Sequence, residues 1–148
     1  MNFPADRQYA ETHEWMRKGP EGVTVGITDY AQGELTDVVF VDLPEVDRHV
    51  DAGEELCSLE SVKAVGYVYA PVAGIVTAVN ERLKAQPELV NQDPYDEGWI
   101  ASIAPDEPGE SVDLLDAAAY RRRVEAEAAA AEEGDEEAEP AVAEDEEE

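Results

Sequence analysis

Lysine, histidine and cysteine are scarce in this chain of 148 residues: three lysines (Lys18, Lys63, Lys84), two histidines (His13, His49) and the single Cys57. Each scarcity closes off a class of chemistry. One cysteine forms no intrachain disulfide, and within an apolar, strand-like run Cys57 reads as a small buried hydrophobe and not as a nucleophile. Two histidines far apart in sequence, with no further Cys or His at ligand spacing, do not make a zinc site. His13, beside Glu14 and Trp15, reads as a strand residue. No glycine-rich phosphate loop occurs, and the inventory from which a convergent acid, base and nucleophile could be drawn is thin. Only ten Lys and Arg stand against 37 Asp and Glu, a formal net charge of −27. That balance excludes docking on nucleic-acid phosphates or on anionic lipid headgroups, both of which need clustered cations. No run reaches the roughly 18 apolar residues of a membrane span, and residues 1–8 hold Pro4, Asp6 and Arg7 where a secretory signal needs an apolar stretch. The expectation is a soluble, cytoplasmic monomer.

What is abundant is acid, and its placement matters. Glu125–Glu148 carries 13 of the 37 acids and no Lys or Arg, leaving 24 acids against ten bases on residues 1–124. The reading is a globular domain over 1–124 and an acidic Glu/Ala-rich tail over 125–148, first a helix extension and then, from about residue 132, disordered. Hydrophobic residues make up 43% of the chain, enough for a core. An acid-rich, lysine-poor surface suits a protein that must stay hydrated in molar salt, where self-repulsion is screened, so a halophilic cytoplasm, and an archaeal source, is expected.

The body of the chain reads as short strands punctuated by Gly and Pro. Gly22–Ile27 alternates β-branched residues and forms a hairpin with His13–Arg17 through Gly19-Pro20-Glu21-Gly22. Thr28 caps a short helix over about 28–35, with Asp29 favoured at the positive end of its dipole. Asp37–Leu43 is a continuous apolar run, expected to be a strand buried on both faces. Glu54–Glu60 and Val65–Ala70 form a hairpin with Lys63 near its tip, the second strand presenting Val65, Tyr67 and Tyr69 on one face. Pro71–Gly74 turns the chain into Ile75–Val79, and Gly98–Ile103 supplies a last strand before Pro105. Val112, Leu115 and Ala119 recur at helical spacing and predict a C-terminal helix from about 112. The small neighbours Ser61 and Ala64 leave Lys63 accessible on a chain where lysine is scarce.

The segments Tyr9–Trp15, Val25–Gln32, Asp37–Pro44 and, most of all, Glu60-Ser61-Val62-Lys63-Ala64 closely resemble the H-protein family of the glycine cleavage system. The likeness continues through Pro71–Gly74, Val79–Glu81, Pro87–Asn91, Asp93–Tyr95 and Gly98-Trp99, covering about residues 3–123. Biotin carriers typically flank their lysine with methionine, and lipoyl domains of 2-oxo acid dehydrogenases typically place Asp before it; neither pattern fits here.

The resemblance implies an all-β fold with minor helices, a flattened barrel of two sheets of the barrel-sandwich hybrid type. It implies that Lys63 carries lipoic acid in amide linkage, with Glu60, Ser61, Val62 and Ala64 recognised by the lipoate ligase or lipoyl transferase that attaches it. The implied partners are a pyridoxal-phosphate-dependent glycine decarboxylase, an aminomethyltransferase and a dihydrolipoyl dehydrogenase, between which the carrier shuttles the aminomethyl group of glycine. By residue match Glu14 pairs with the carried amine in a surface cleft and Thr12 offers its hydroxyl there. Two positions depart from the family pattern: Tyr67 stands at a cleft-side position that is commonly Asp, and Thr36 where many relatives have Gly. Competing roles are a relay donating lipoyl groups to other carriers, an unmodified acidic interaction module, and, weakest, an enzyme using Lys63 as a Schiff base, since an exposed turn supplies no desolvation to lower its pKa.

Overall fold

The computed structural model describes residues 1–20, 22–107 and 109–137. In chain order the elements are β1 (Gln8–Ala10), β2 (Glu14–Gly19), β3 (Gly22–Ile27), α1 (Asp29–Leu35), β4 (Val38–Asp42), β5 (His49–Val50), β6 (Glu55–Ser61), β7 (Val65–Tyr69), β8 (Gly74–Val79), α2 (Arg82–Ala85), α3 (Leu89–Gln92), β9 (Ala101–Pro105), β10 (Leu114–Leu115) and α4 (Ala117–Glu137). The strands form two antiparallel sheets: seven strands ordered β10-β1-β2-β3-β9-β8-β5, and three ordered β4-β6-β7. They do not close into one hydrogen-bonded barrel. Their facing sides share a core in which Val25, Val76 and Ile103 of the larger sheet meet Val41, Leu59 and Val68 of the smaller. A second, aromatic cluster of Phe3, Tyr9, Trp15, Tyr95 and Tyr120 binds the C-terminal helix to the larger sheet.

Local chemistry accounts for how the elements nearest the lysine are seated. Thr28 is the N-cap of α1, its hydroxyl accepting the Ala31 N–H at 3.2 Å as the cap rule expects. Leu35, at the other end of α1, lies over Gly66 of β7: a Cβ at residue 66 would stand 2.9 Å from Leu35 Cδ2, so glycine is what lets the helix approach the hairpin. Gly26 does the same for the Trp15 ring, 2.7 Å from where a Cβ would be.

Four sequence expectations meet a different structure. Asp37–Leu43 is not buried on both faces, because β4 is an edge strand: Val38 and Val41 point into the core, while Val39 and Phe40, at a shift in register with β6, face outward. The helix expected from about 112 begins at Ala117. Leu114 and Leu115 instead pair with Ala10 and Tyr9, the need of β1 for a partner on its free side overriding helical periodicity. The start at 117 is fixed by Asp116, whose carboxylate accepts the Ala119 N–H at 2.8 Å. The helix then runs through Gly134 to Glu137, so the segment expected to be disordered from about 132 is helical that far, and 138–148 lie outside the described residues. The last strand is shifted to Ala101–Pro105, since Gly98 donates its N–H to the Asp93 carbonyl in the turn that precedes it.

Candidate functional site

Lys63 sits in the turn joining β6 to β7, and one side chain organises that turn. The Ser61 hydroxyl oxygen accepts the N–H of Lys63 (3.2 Å) and of Ala64 (3.0 Å), and its O–H lies 3.1 Å from the Ala64 carbonyl; the Ser61 N–H donates to the same carbonyl at 2.8 Å. Val62 donates its N–H to the Asp37 carbonyl at 3.0 Å, which ties the turn to the start of β4. The backbone is thus held while Val62, Lys63 and Ala64 are all exposed. Among the described residues Lys63 makes no ion pair. An exposed lysine on a braced tip is the arrangement that an acylating enzyme can reach and that a covalently attached arm needs. Glu60, the last exposed carboxylate of β6 before the turn, is paired across the sheet with Phe40 and Val65.

Down β7 from the turn opens a small cleft of about 160 Å³, lined by Thr12, His13 and Glu14, by Ile27, Tyr30, Ala31, Glu34 and Leu35, and by Leu59, Gly66 and Tyr67. Thr12, Glu14 and Tyr67 are therefore brought together. Lys63 is not part of the lining; Tyr67 stands four residues beyond it, about 13 Å of strand.

Glu14 is 1% exposed. One of its carboxylate oxygens accepts the Thr12 hydroxyl and the other accepts the Tyr69 N–H at 3.0 Å. Burial disfavours the charged form and raises its pKa to about 7, against the pull of those two hydrogen bonds. The carboxylate also borders a second cavity of about 370 Å³, on whose wall Glu11, Gly53, Tyr69 and Asp113 stand. Cys57 is buried and its thiol is pushed up to about 12 by desolvation, which removes it from nucleophilic chemistry.

A group that sequence reasoning missed holds this cleft. His13 is not a strand residue: it occupies the β1–β2 turn at φ 77°. Its Nδ1 lies 2.7 Å from the Tyr120 hydroxyl, which lies 2.7 Å from the Thr28 hydroxyl, and its Nε2 lies 3.1 Å from the Glu127 carboxylate. The C-terminal helix thereby fixes the turn that carries Thr12 and Glu14 and also the cap of α1. The only signal in the sequence was Tyr120 within a helical tract of small and charged residues.

The chain matches the family model for the glycine cleavage H-protein over residues 7–127. Curated relatives include the glycine cleavage system H protein of Thermus thermophilus, 52% identical over 128 residues, which are 86% of this chain and all of the relative. The probable glycine cleavage system H protein of Haloarcula marismortui is 50% identical over 125 residues, 84% of this chain and 98% of the relative. Among solved structures, the glycine cleavage system H protein of Mycobacterium marinum superposes with a TM-score of 0.73 at 41% identity, covering 79% of this chain and 94% of that one. With its two sheets, its short helices and its braced lysine hairpin, this chain belongs to the glycine cleavage H-protein family, the carrier proteins of the glycine cleavage system.

Proposed function

We propose that this carrier is modified with lipoic acid on Lys63 and exchanges substrate with the glycine-decarboxylating, aminomethyl-transferring and dihydrolipoyl-oxidising enzymes of the system, acting as a monomer in the cytoplasm after a lipoate ligase or lipoyl transferase has attached the group. The observation that carries the reading is the turn itself, with Ser61 bracing the backbone and Lys63 exposed a short strand away from a cleft holding a buried carboxylate. When attached, the lipoyl group supplies the dithiol and disulfide chemistry. The protein's own residues supply position and protection. Ser61 fixes the origin of the arm, which limits the volume its end explores and keeps its local concentration high at the cleft.

Within the cleft, Glu14 is the group able to pair with a cationic amine, oriented for it by the hydrogen bonds from Thr12 and Tyr69. Because burial holds its pKa near 7, arrival of a cation favours the carboxylate and drives off the remaining proton, so binding and ionisation are coupled. Tyr67 supplies an aromatic wall where the family pattern commonly offers a second carboxylate, leaving the charge pairing to Glu14. Helix α4 crosses residue 124 without a break, and Glu127 reaches His13, so the carrier domain includes the first turns of the acidic tail.

Intact mass of the native protein tests the reading. A single lipoyl increment that disappears in Lys63→Arg is the expected result. An unmodified native protein, or an increment that survives the substitution, would overturn it.

A further inference from the structure

Apart from Met1 and Val46, every large apolar side chain left exposed among the described residues stands on the three-stranded sheet or its turn: Val39, Phe40, Val62, Val65 and Tyr67. Val62 is 68% exposed and the other four are each about half exposed. The register gathers them on one side. Phe40, Glu60 and Val65 face one another across β4, β6 and β7, and Asp42, Ser58 and Tyr67 form the next row on the same side, while Val41, Leu59 and Val68 point into the core. The apolar group encloses the exposed carboxylate of Glu60, which stands on the central strand between Phe40 and Val65, and is bordered on the edge strand β4 by that of Asp42; the only cation in these three strands and their turn is Lys63. On a chain of net charge −27, apolar side chains collected at one place on the water-facing side of a sheet add nothing to the core and mark a surface that something covers.

We propose that this face is the docking site of the enzyme that acylates Lys63, a protein whose contacting surface is apolar with arginine or lysine placed to meet Glu60 and Asp42. The inference rests on the reading of Lys63 as the lipoylated residue. Two arguments select this occupant. An enzyme acting on Lys63 Nζ must bring its active site to the turn, so its surface necessarily lies over the nearest strands, whereas one acting at the far end of a long arm is not held to that distance. The two carboxylates among and beside the apolar side chains also fit a basic partner and disfavour a second copy of this chain, which would set Asp42 and Glu60 against carboxylates of the same kind.

The test uses the full-length unmodified protein with a purified lipoate ligase, lipoate and ATP. Lys63 Nζ attacks the acyl carbon of the lipoyl-adenylate, forming the amide and releasing AMP and a proton, and intact mass follows the product. Phe40→Ser and Val65→Ser are each expected to lower kcat/KM for acylation about tenfold through KM, the loss typical of a central interface side chain. Val46→Ser, exposed outside the patch, is expected to match the parent, and all three are expected to melt within a few degrees of it. Lys63→Arg is expected to gain no mass yet to compete with the parent for the ligase. Acylation of Phe40→Ser and Val65→Ser at the parental kcat/KM would overturn the docking proposal alone, as would sedimentation showing a parental dimer that these variants dissociate. A parent that gains no mass, or a Lys63→Arg variant that does, would overturn the Lys63 reading and the proposal with it.

Discussion

Replacing Glu14 by Gln isolates the energetic consequence of burying that carboxylate. In the unfolded chain a glutamate titrates near the ordinary value of 4.5, while in the fold burial raises it to about 7. Between these values the folded state holds a proton that the unfolded state has lost, so stability falls as pH rises, by about 1.4 kcal/mol per pH unit. Across the window that is about 3 kcal/mol: fully retained below pH 4.5, fully lost above pH 7. Gln cannot ionise, and it can keep both partners, its amide oxygen accepting the Tyr69 N–H and its amide N–H donating to the Thr12 hydroxyl. Parent and variant should therefore melt together near pH 5, and the variant should melt higher at pH 8, by roughly 10 °C for a domain of this size. Calorimetry at pH 5, 6, 7 and 8 in molar KCl measures it, since salt screens the surface acids and the difference between the two proteins cancels their titration. Melting temperatures that differ by a constant amount across the series would refute the reasoning, because a carboxylate stabilised in its charged form produces no such divergence.

Two further substitutions test the parts that frame the cleft. Thr36, the C-cap of α1, has φ 63° and ψ −148°, a conformation that a β-branched side chain adopts at a cost of about 1–3 kcal/mol, against roughly 0.5–1 kcal/mol of extra chain entropy for glycine. Thr36→Gly should thus stabilise the protein by about 1 kcal/mol in urea unfolding at unchanged m-value. Tyr120→Phe removes the hydroxyl shared by His13 and Thr28 in a fully buried setting and should cost about 1–3 kcal/mol, with hydrogen exchange accelerating in the turn around Thr12 and Glu14 more than in β8 and β9.

Much of this arrangement was legible in the sequence, and the parts that were not share a cause. The Thr28 cap, the β2–β3 hairpin and Lys63 at a turn tip follow from local chemistry: a hydroxyl before a helix, alternation around Gly19 and Gly22, small residues flanking a lysine. Family resemblance pointed to Thr12 and Glu14, which no spacing rule would have selected and which the structure places with Tyr67 in one cleft wall. What stayed hidden depends on partners distant in sequence. Val39 and Phe40 read as core because nothing local says that β4 lies at a sheet edge, and Leu114-Leu115 read as helix because nothing local says that β1 lacks a neighbour. The contacts of His13 with Tyr120 and Glu127 span more than 100 residues and leave no periodic trace.

The acidic surface and the apolar patch bear on one another through salt. At low ionic strength a net charge of −27 would dominate any encounter, drawing basic partners to the whole surface with little discrimination between faces. In the molar salt that the composition suits, the screening length falls to about 3 Å, so carboxylates farther than that from a partner's cations contribute little steering. Apolar contact is not weakened in this way. Recognition of one face among many acidic ones then falls to the side chains that differ from the rest, and among the described residues those gathered on one face are Val39, Phe40, Val62, Val65 and Tyr67 beside Lys63. Acylation of Lys63 would remove its charge and leave this face without a cation, so a modified protein would differ electrostatically from the unmodified one on the face proposed for docking.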